Sequence, residues 1–414
     1  MPACGDYVPR LHPPQTWSLR KIRKMPPMQY SRIVLACVMA ACSSTVAIAL
    51  LYRYAQPLGL VDRPTDRKRH VGNIPLIGGL SAFFGVLVGA CIYAQFDLFT
   101  NTLLGTATVL ALVGALDDRF DLSVRTRLLV QTAAVLTMVA TTGVYIHTLG
   151  HVFDYEVDLG VLGIPVTVVA VIGLLNAFNM MDGIDGLAGS LALVSIGAII
   201  MFDGSLQWHR VILLVLLMAA LVPYLAANLG LVGRRIFLGD AGSMMVGYLL
   251  AWTLINLSQQ APLHSQLSSV DVLWCVALPV LDTLAVMVRR MREGKSPFKP
   301  DRGHIHHLML QAGLGPRTTL VALIALAVLL AFTGTLTGAL ASGSNLLAFG
   351  MLAVVYITLV NRIWQKQQAQ ATARAARPAN RTTLTATIVQ FKPPLRLSAY
   401  RPGHDAPKRG SGRD

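Results

Sequence analysis

Charge is scarce in this chain: only 13% of its 414 residues are Asp, Glu, Lys or Arg, against roughly 25% in a soluble globular protein. That excludes an ordinary water-soluble domain. Acidic residues are the scarcer sign, 20 against 35 basic, for a net charge of +15. The five cysteines, Cys4, Cys37, Cys42, Cys91 and Cys275, form no CxxC pair. A disulfide framework or thiolate metal site is therefore not expected, and the thiols read as reduced packing residues.

Apolar residues are abundant instead, at 54% of the chain with a mean hydropathy of +0.57. Runs near the ~20 residues that a helix needs to cross hydrocarbon recur along most of the length. The expected fold is all-α and polytopic, with about eleven transmembrane helices. The spans expected are 33–53, 75–95, 102–116, 128–146, 161–178, 187–203, 211–229, 241–258, 271–289, 318–339 and 345–363.

The placement of the positive charge sets an orientation. Arg63, Arg67, Lys68 and Arg69, then Arg119, Arg125 and Arg127, then Arg234 and Arg235, then Arg290, Arg292, Lys295, Lys299, Arg302 and Arg317 fall on alternate loops. The opposite loops carry only Arg210. The positive-inside rule makes the first set cytoplasmic, together with the C-terminus. Nucleic acid is not expected as a partner, because this charge answers to the membrane.

Three parts are expected along the chain. Residues 1–32 form a basic extension whose Arg10, Arg20, Lys21, Arg23, Lys24 and Arg32 oppose the orientation of the inner loops, which suggests a start at Met25 or Met28. Residues 33–363 form the membrane domain. Residues 364–414, rich in Ala, Arg, Pro and Thr without apolar periodicity, read as a disordered cytoplasmic tail.

Five polar stretches share the cytoplasmic face: "VDRPTDRKRHVGNIPLIGG", "ALDDRFDLSVRTR", "NAFNMMDGIDGLAG", "NLGLVGRRIFLGDAGS" and "SPFKPDRGHIHHLML". Together they can build one site. Asp117 and Asp118 end the third span, where carboxylates beside hydrocarbon need a cation, so they read as interfacial anchors or as a base or nucleophile near a metal. Arg127 is placed to bind phosphate oxygens. Asn176 and Asn179, like Asp182 and Asp185, stand three apart and can share a helical face. Oxygen donors of this kind suit Mg²⁺ or Mn²⁺ completed by substrate phosphates.

Asp240 opens the eighth span, either as an N-cap or as part of an anion site. Phe237 reads as an interfacial anchor or a surface for base stacking. His304, His306 and His307, with Lys299 and Arg302 beside them, read as a phosphate-binding or proton-handling loop, since the remaining ligands of a zinc tetrahedron are missing. Asp282 lies within the ninth span and reads as structural, paired with Arg289 and Arg290.

In order and spacing these five stretches resemble the motifs of the polyprenyl-phosphate N-acetylhexosamine-1-phosphate transferases, over about residues 30–363. The resemblance implies Mg²⁺-dependent transfer of a sugar 1-phosphate from a UDP-sugar to undecaprenyl phosphate at the cytoplasmic face of the bacterial inner membrane, with UMP released. N-acetylglucosamine is the expected sugar, for O-antigen or a related envelope polysaccharide. It further implies that Asp117 is the base or nucleophile, supported by Asp118, and that Asn179 and Asp240 hold the metal with Asp182 nearby. Asp185, Asn228 and Phe237 then meet the nucleotide, while Arg127, Arg302, His304, His306 and His307 meet phosphate. The chain departs from the family at Arg127, where relatives carry Lys, and in its basic first 32 residues and long tail.

Two rivals stay open at this point. One is the same chemistry on another UDP-HexNAc or on UDP-N-acetylmuramoyl-pentapeptide. The other is a secondary transporter, although transporters place carboxylates at the bilayer midplane rather than at one face. Assembly as a homodimer is left open.

Overall fold

A computed structural model describes residues 27–62, 72–94, 96–152, 155–203, 208–259, 267–296, 301, 303–338 and 342–376. Thirteen α-helices, one short 3-10 helix (Gly160–Leu162) and two small hairpins make up the described elements. Among the described residues seven helices are long and apolar enough to cross a membrane, and Gly78–Tyr93 and Leu187–Phe202 are shorter apolar helices. The chain is an all-α polytopic membrane protein.

All eleven expected spans fall on helices. They are α1 (Pro27–Tyr54), α2 (Gly78–Tyr93), α3 (Leu98–Phe120), α4 (Val124–Thr142), α5 (Gly163–Met181), α6 (Leu187–Asp203), α7 (Trp208–Asn228), α8 (Gly239–Ser258), the pair α9 (Asp271–Cys275) and α10 (Ala277–Arg292), α12 (Pro316–Thr337) and α13 (Ser342–Ala376). The ninth span breaks at Val276, whose backbone leaves the helical region at φ −125° and ψ 26°. Pro279 explains the break: in a continuous helix its ring would strike the carbonyl of Cys275, whereas in the first turn of a new helix its missing N–H costs nothing.

Three differences from the expectation have physical reasons. Helix α3 runs on from the expected end at 116 through Phe120, with Asp117 and Asp118 in its last turn. Helix α13 continues past 363 to Ala376, because the Gln, Lys, Ala and Arg that follow Trp364 are good helix formers and extend a helix already nucleated. The loops also hold hairpins that no apolar pattern announces: β1 (Val61–Asp62) with β2 (Ile74–Pro75), and β3 (Thr148–Val152) with β4 (Tyr155–Asp158). His70, Lys299, Arg302, Cys4 and the tail beyond 376 lie outside the described residues.

Helix α8 forms the centre, with nearly its whole length buried against α2, α3, α5 and α7. Small residues permit that approach. A Cβ on Gly79 would meet the backbone of Gly242, and one on Gly114 would meet the backbone of Ala241. On the periphery, α1, α12 and α13 expose Leu35, Val38, Val321, Leu336, Met351 and Val354. Such faces suit lipid tails, not water.

Candidate active site

The last turn of α3, the start of α4, the end of α5 and the start of α8 meet at one end of the bundle. Asp117 is buried. Its Oδ1 accepts the Leu122 N–H at 2.7 Å, and its Oδ2 accepts from Arg127 at 2.8 Å. Ser123 starts α4 by accepting the Thr126 N–H, which sets Arg127 one turn inside that helix and aims it back at α3. The same guanidinium lies 3.6 Å from Asp240 Oδ2. Arg127 therefore stands between two carboxylates.

Asp118 has a different task from its neighbour. Its Oδ1 accepts the N–H of Asp240 at 2.9 Å, and its Oδ2 lies 3.4 Å from the N–H of Ala241. These are orphan donors of the first turn of α8, so Asp118 caps that helix from another one. Gly239 makes the turn possible: its φ is +75°, and a Cβ there would press on the Asp118 carboxylate. Asp240 is thus aimed by Asp118. Its Oδ1 accepts from Asn179 Nδ2 at 2.6 Å, and that amide also donates to Ser243 Oγ at 3.0 Å. Ser243 belongs to the site, although its motif gave it no role.

The turn 182–186 follows directly. The Asp182 N–H closes α5 on the Asn179 carbonyl, and Asp185 pairs with Arg235 at 3.7 Å between partly exposed side chains. Asn228 is buried, and its Nδ2 donates to the Ile236 carbonyl at 2.8 Å. That bond holds the loop before α8. Phe237 is half-buried, and its backbone bonds to Pro75 and Gly78 tie this loop to the "IPLIGG" stretch. Asn176 takes a structural place, donating to the Ile172 carbonyl at 2.8 Å.

The histidine segment reaches this end through Gly183, because a Cβ on that glycine would collide with the His306 ring. His306 is buried, and among the described residues neither ring nitrogen has a hydrogen-bond partner. Burial, with His307 and His304 beside it, pushes its pKa from 6.5 down to about 2. The ring is therefore enclosed and neutral in this arrangement. His304 is buried too, with Nδ1 2.7 Å from Asp282 Oδ2.

The expected pairing of Asp282 with Arg289 and Arg290 is replaced by another. Both arginines hold Asp301, which also accepts the Gly303 N–H at 2.7 Å. Burial alone would raise the Asp301 carboxyl, but the hydrogen bonds and charge of Arg290 and Arg289 hold it below the usual carboxylate value. Asp301 carried no assignment in the sequence, although an Asp between basic residues ahead of "GHIHH" is a signal that could have found it.

Among the described residues no cluster of three or more His, Cys, Asp or Glu side chains could hold a metal by itself. Mg²⁺ rarely asks for one, since it is commonly held by one or two carboxylates plus water and substrate phosphate. The donor set fits that mode. Asp240 is half-buried, with a carboxylate side chain only partly covered, and Asn179 spends its amide N–H groups on neighbours, leaving its carbonyl oxygen as the hard donor.

The family model for glycosyl transferase family 4 matches residues 100–258, from α3 to the end of α8. The undecaprenyl-phosphate alpha-N-acetylglucosaminyl 1-phosphate transferase of Yersinia pestis is 42% identical over 69% of this chain and 78% of its own length. The protein of that name from Escherichia coli K12 is 40% identical over 71% and 80%. The one from Pasteurella multocida is 37% identical over 80% and 95%.

Proposed function

The chain belongs to the family of undecaprenyl-phosphate alpha-N-acetylglucosaminyl 1-phosphate transferases, and from that premise we propose how its own residues carry the reaction. N-acetylglucosamine 1-phosphate passes from UDP-N-acetylglucosamine to undecaprenyl phosphate. An oxygen of the lipid phosphate attacks the sugar-bearing phosphorus, the diphosphate P–O bond breaks, and UMP leaves. The lipid-linked diphosphate sugar starts a cell-envelope polysaccharide. By the positive-inside rule the carboxylate end of the bundle faces the cytoplasm of a bacterial inner membrane, where the nucleotide donor is found.

The observation that carries this reading is the bridge Asp117–Arg127–Asp240, drawn from three helices at one end of the bundle. An incoming phosphate competes for Arg127, the bidentate phosphate binder of the set. As Arg127 turns to it, Asp117 Oδ2 is released to take the proton of the lipid phosphate. Asp118 keeps Asp240 in place throughout. Asp240 and Asn179, with Asp182 nearby, would hold Mg²⁺, which when bound would supply Lewis-acid neutralisation of the diphosphate charge. Asp185 and Phe237 face the nucleotide, and His304 and His307 face phosphate. Asn228 shapes the loop that carries Phe237 through its Nδ2, and its Oδ1, which has no hydrogen-bond partner among the described residues, is left for the nucleotide.

The second reading of Asp117, as a nucleophile in a double displacement, is less favoured because the carboxylate is enclosed and both its oxygens already accept hydrogen bonds. The test is transfer of radiolabelled sugar phosphate from UDP-N-acetylglucosamine into an organic-soluble product by the purified chain with undecaprenyl phosphate and Mg²⁺. Absence of a lipid-linked product, or a sugar–lipid with one phosphate only, would refute the scheme.

A further inference from the structure

Asp282 is fully buried within α10 and belongs to none of the polar motifs. Its carboxylate collects three donors from separate parts of the chain: His304 Nδ1 at 2.7 Å, the Ile305 N–H at 2.9 Å and the Tyr356 hydroxyl of α13 at 3.3 Å. An enclosed carboxylate with three donors is an acceptor only, so His304 holds its proton on Nδ1, which leaves Nε2 as the ring's other polar atom. The Ile305 N–H lies at the start of α11 (Ile305–Gln311), so the same carboxylate also fixes where that short helix begins.

Burying a carboxylate is costly, and packing alone would be served by an apolar residue. What a carboxylate adds is orientation of an imidazole, as in sites where a second residue fixes the ring of a working histidine. Arg289 and Arg290 of the same helix secure Asp301 at the upstream end of the segment. Helix α10 thereby grips the histidine segment on both sides of Gly303.

We propose that Asp282 is a positioning residue for the sugar-nucleotide donor, acting through His304, with Tyr356 steadying the carboxylate from α13. This rests on the transferase reading. It predicts a defect confined to the donor, since the lipid phosphate is met by Arg127 and Asp117 on other helices.

The experiment is steady-state kinetics of UMP release by the full chain in detergent, varying UDP-N-acetylglucosamine and undecaprenyl phosphate separately. Asp282→Asn and His304→Ala should each raise the donor KM about tenfold and leave the acceptor KM within about twofold, and the double variant should be no worse than His304→Ala. Tyr356→Phe should show the same pattern at about two- to threefold. If the Asp282 and His304 losses multiply, or if donor and acceptor KM rise together with a fall in kcat, the proposal is wrong. Should Asp282→Asn fail to fold, Tyr356→Phe decides alone: an unchanged donor KM overturns the proposal. Wild-type protein that releases no UMP refutes the transferase reading itself, a result separate from any pattern among the variants.

Discussion

The backbone N–H of Asp240 donates to Asp118 Oδ1 at 2.9 Å, so one member of the Asp117–Asp118 pair serves a residue 122 positions away. Neighbours in sequence, the two carboxylates divide the work: Asp117 accepts from Arg127, and Asp118 caps the helix that carries Asp240.

Removing the cap separates those tasks. Asp118→Ala should cost about 1 kcal/mol of stability, as loss of a helix cap does, and lower turnover about 100-fold by releasing Asp240. Asp118→Asn keeps an oxygen acceptor and should retain about a tenth of wild-type turnover. Thermal unfolding in detergent and UMP release, measured on the same preparations, check both.

Arg127 touches both flanking carboxylates through a planar fork, which an ammonium cannot reproduce. Arg127→Lys should lower kcat/KM about tenfold, and Arg127→Met about 1,000-fold. Kinetics varying each substrate in turn should show the loss on both, since the proposed scheme brings the two phosphates together at this side chain. A loss on one substrate only would remove Arg127 from the centre.

Gly183 and His306 interlock. Gly183→Ala places a methyl against the His306 ring and should destabilise by about 1–3 kcal/mol, the usual range for overpacking. Adding His306→Ala should recover part of the thermal midpoint. If the double variant is the sum of its singles, the contact is not what requires glycine there.

The neutrality of His306 carries a pH signature. Its folded pKa is near 2, while the unfolded side chain titrates near 6.5. Below 6.5 the unfolded chain binds more protons than the folded one. The stability concerned is fully present above 6.5 and is lost as the pH falls toward 2, by at most about 1.4 kcal/mol per pH unit. The thermal midpoint of wild type should therefore drop more between pH 7.5 and pH 5 than that of His306→Gln. Parallel curves would contradict a buried neutral imidazole.

Much of this was legible in the sequence, for stated reasons. Apolar length places the helices, because hydrocarbon thickness admits few alternatives. The five polar stretches point to one end because charge is expelled from the others. Partnership was not legible. Asp282 looked like a mate for Arg289 and Arg290, eight positions or fewer along one helix, yet its partners come from the segment after Gly303 and from α13. Nor did the sequence announce that Asn228 bonds to the Ile236 carbonyl or that His306 packs on Gly183, contacts that come in addition to the ligand roles the family resemblance implies for both. The broken ninth span was signalled by Pro279, whereas the extension of α13 depended on helix propensity outweighing a lack of apolar pattern.

The most direct measurement follows UMP release from a panel of UDP-sugars by the purified chain with undecaprenyl phosphate and Mg²⁺, beside Asp117→Asn and Asp240→Ala. UDP-N-acetylglucosamine should support turnover in the wild type. Asp117→Asn should abolish it with helical content unchanged, and Asp240→Ala should lose the response to Mg²⁺. Near-normal turnover by Asp117→Asn, an unaltered Mg²⁺ response in Asp240→Ala, or substrate flux into proteoliposomes with no UMP from any UDP-sugar would contradict the account.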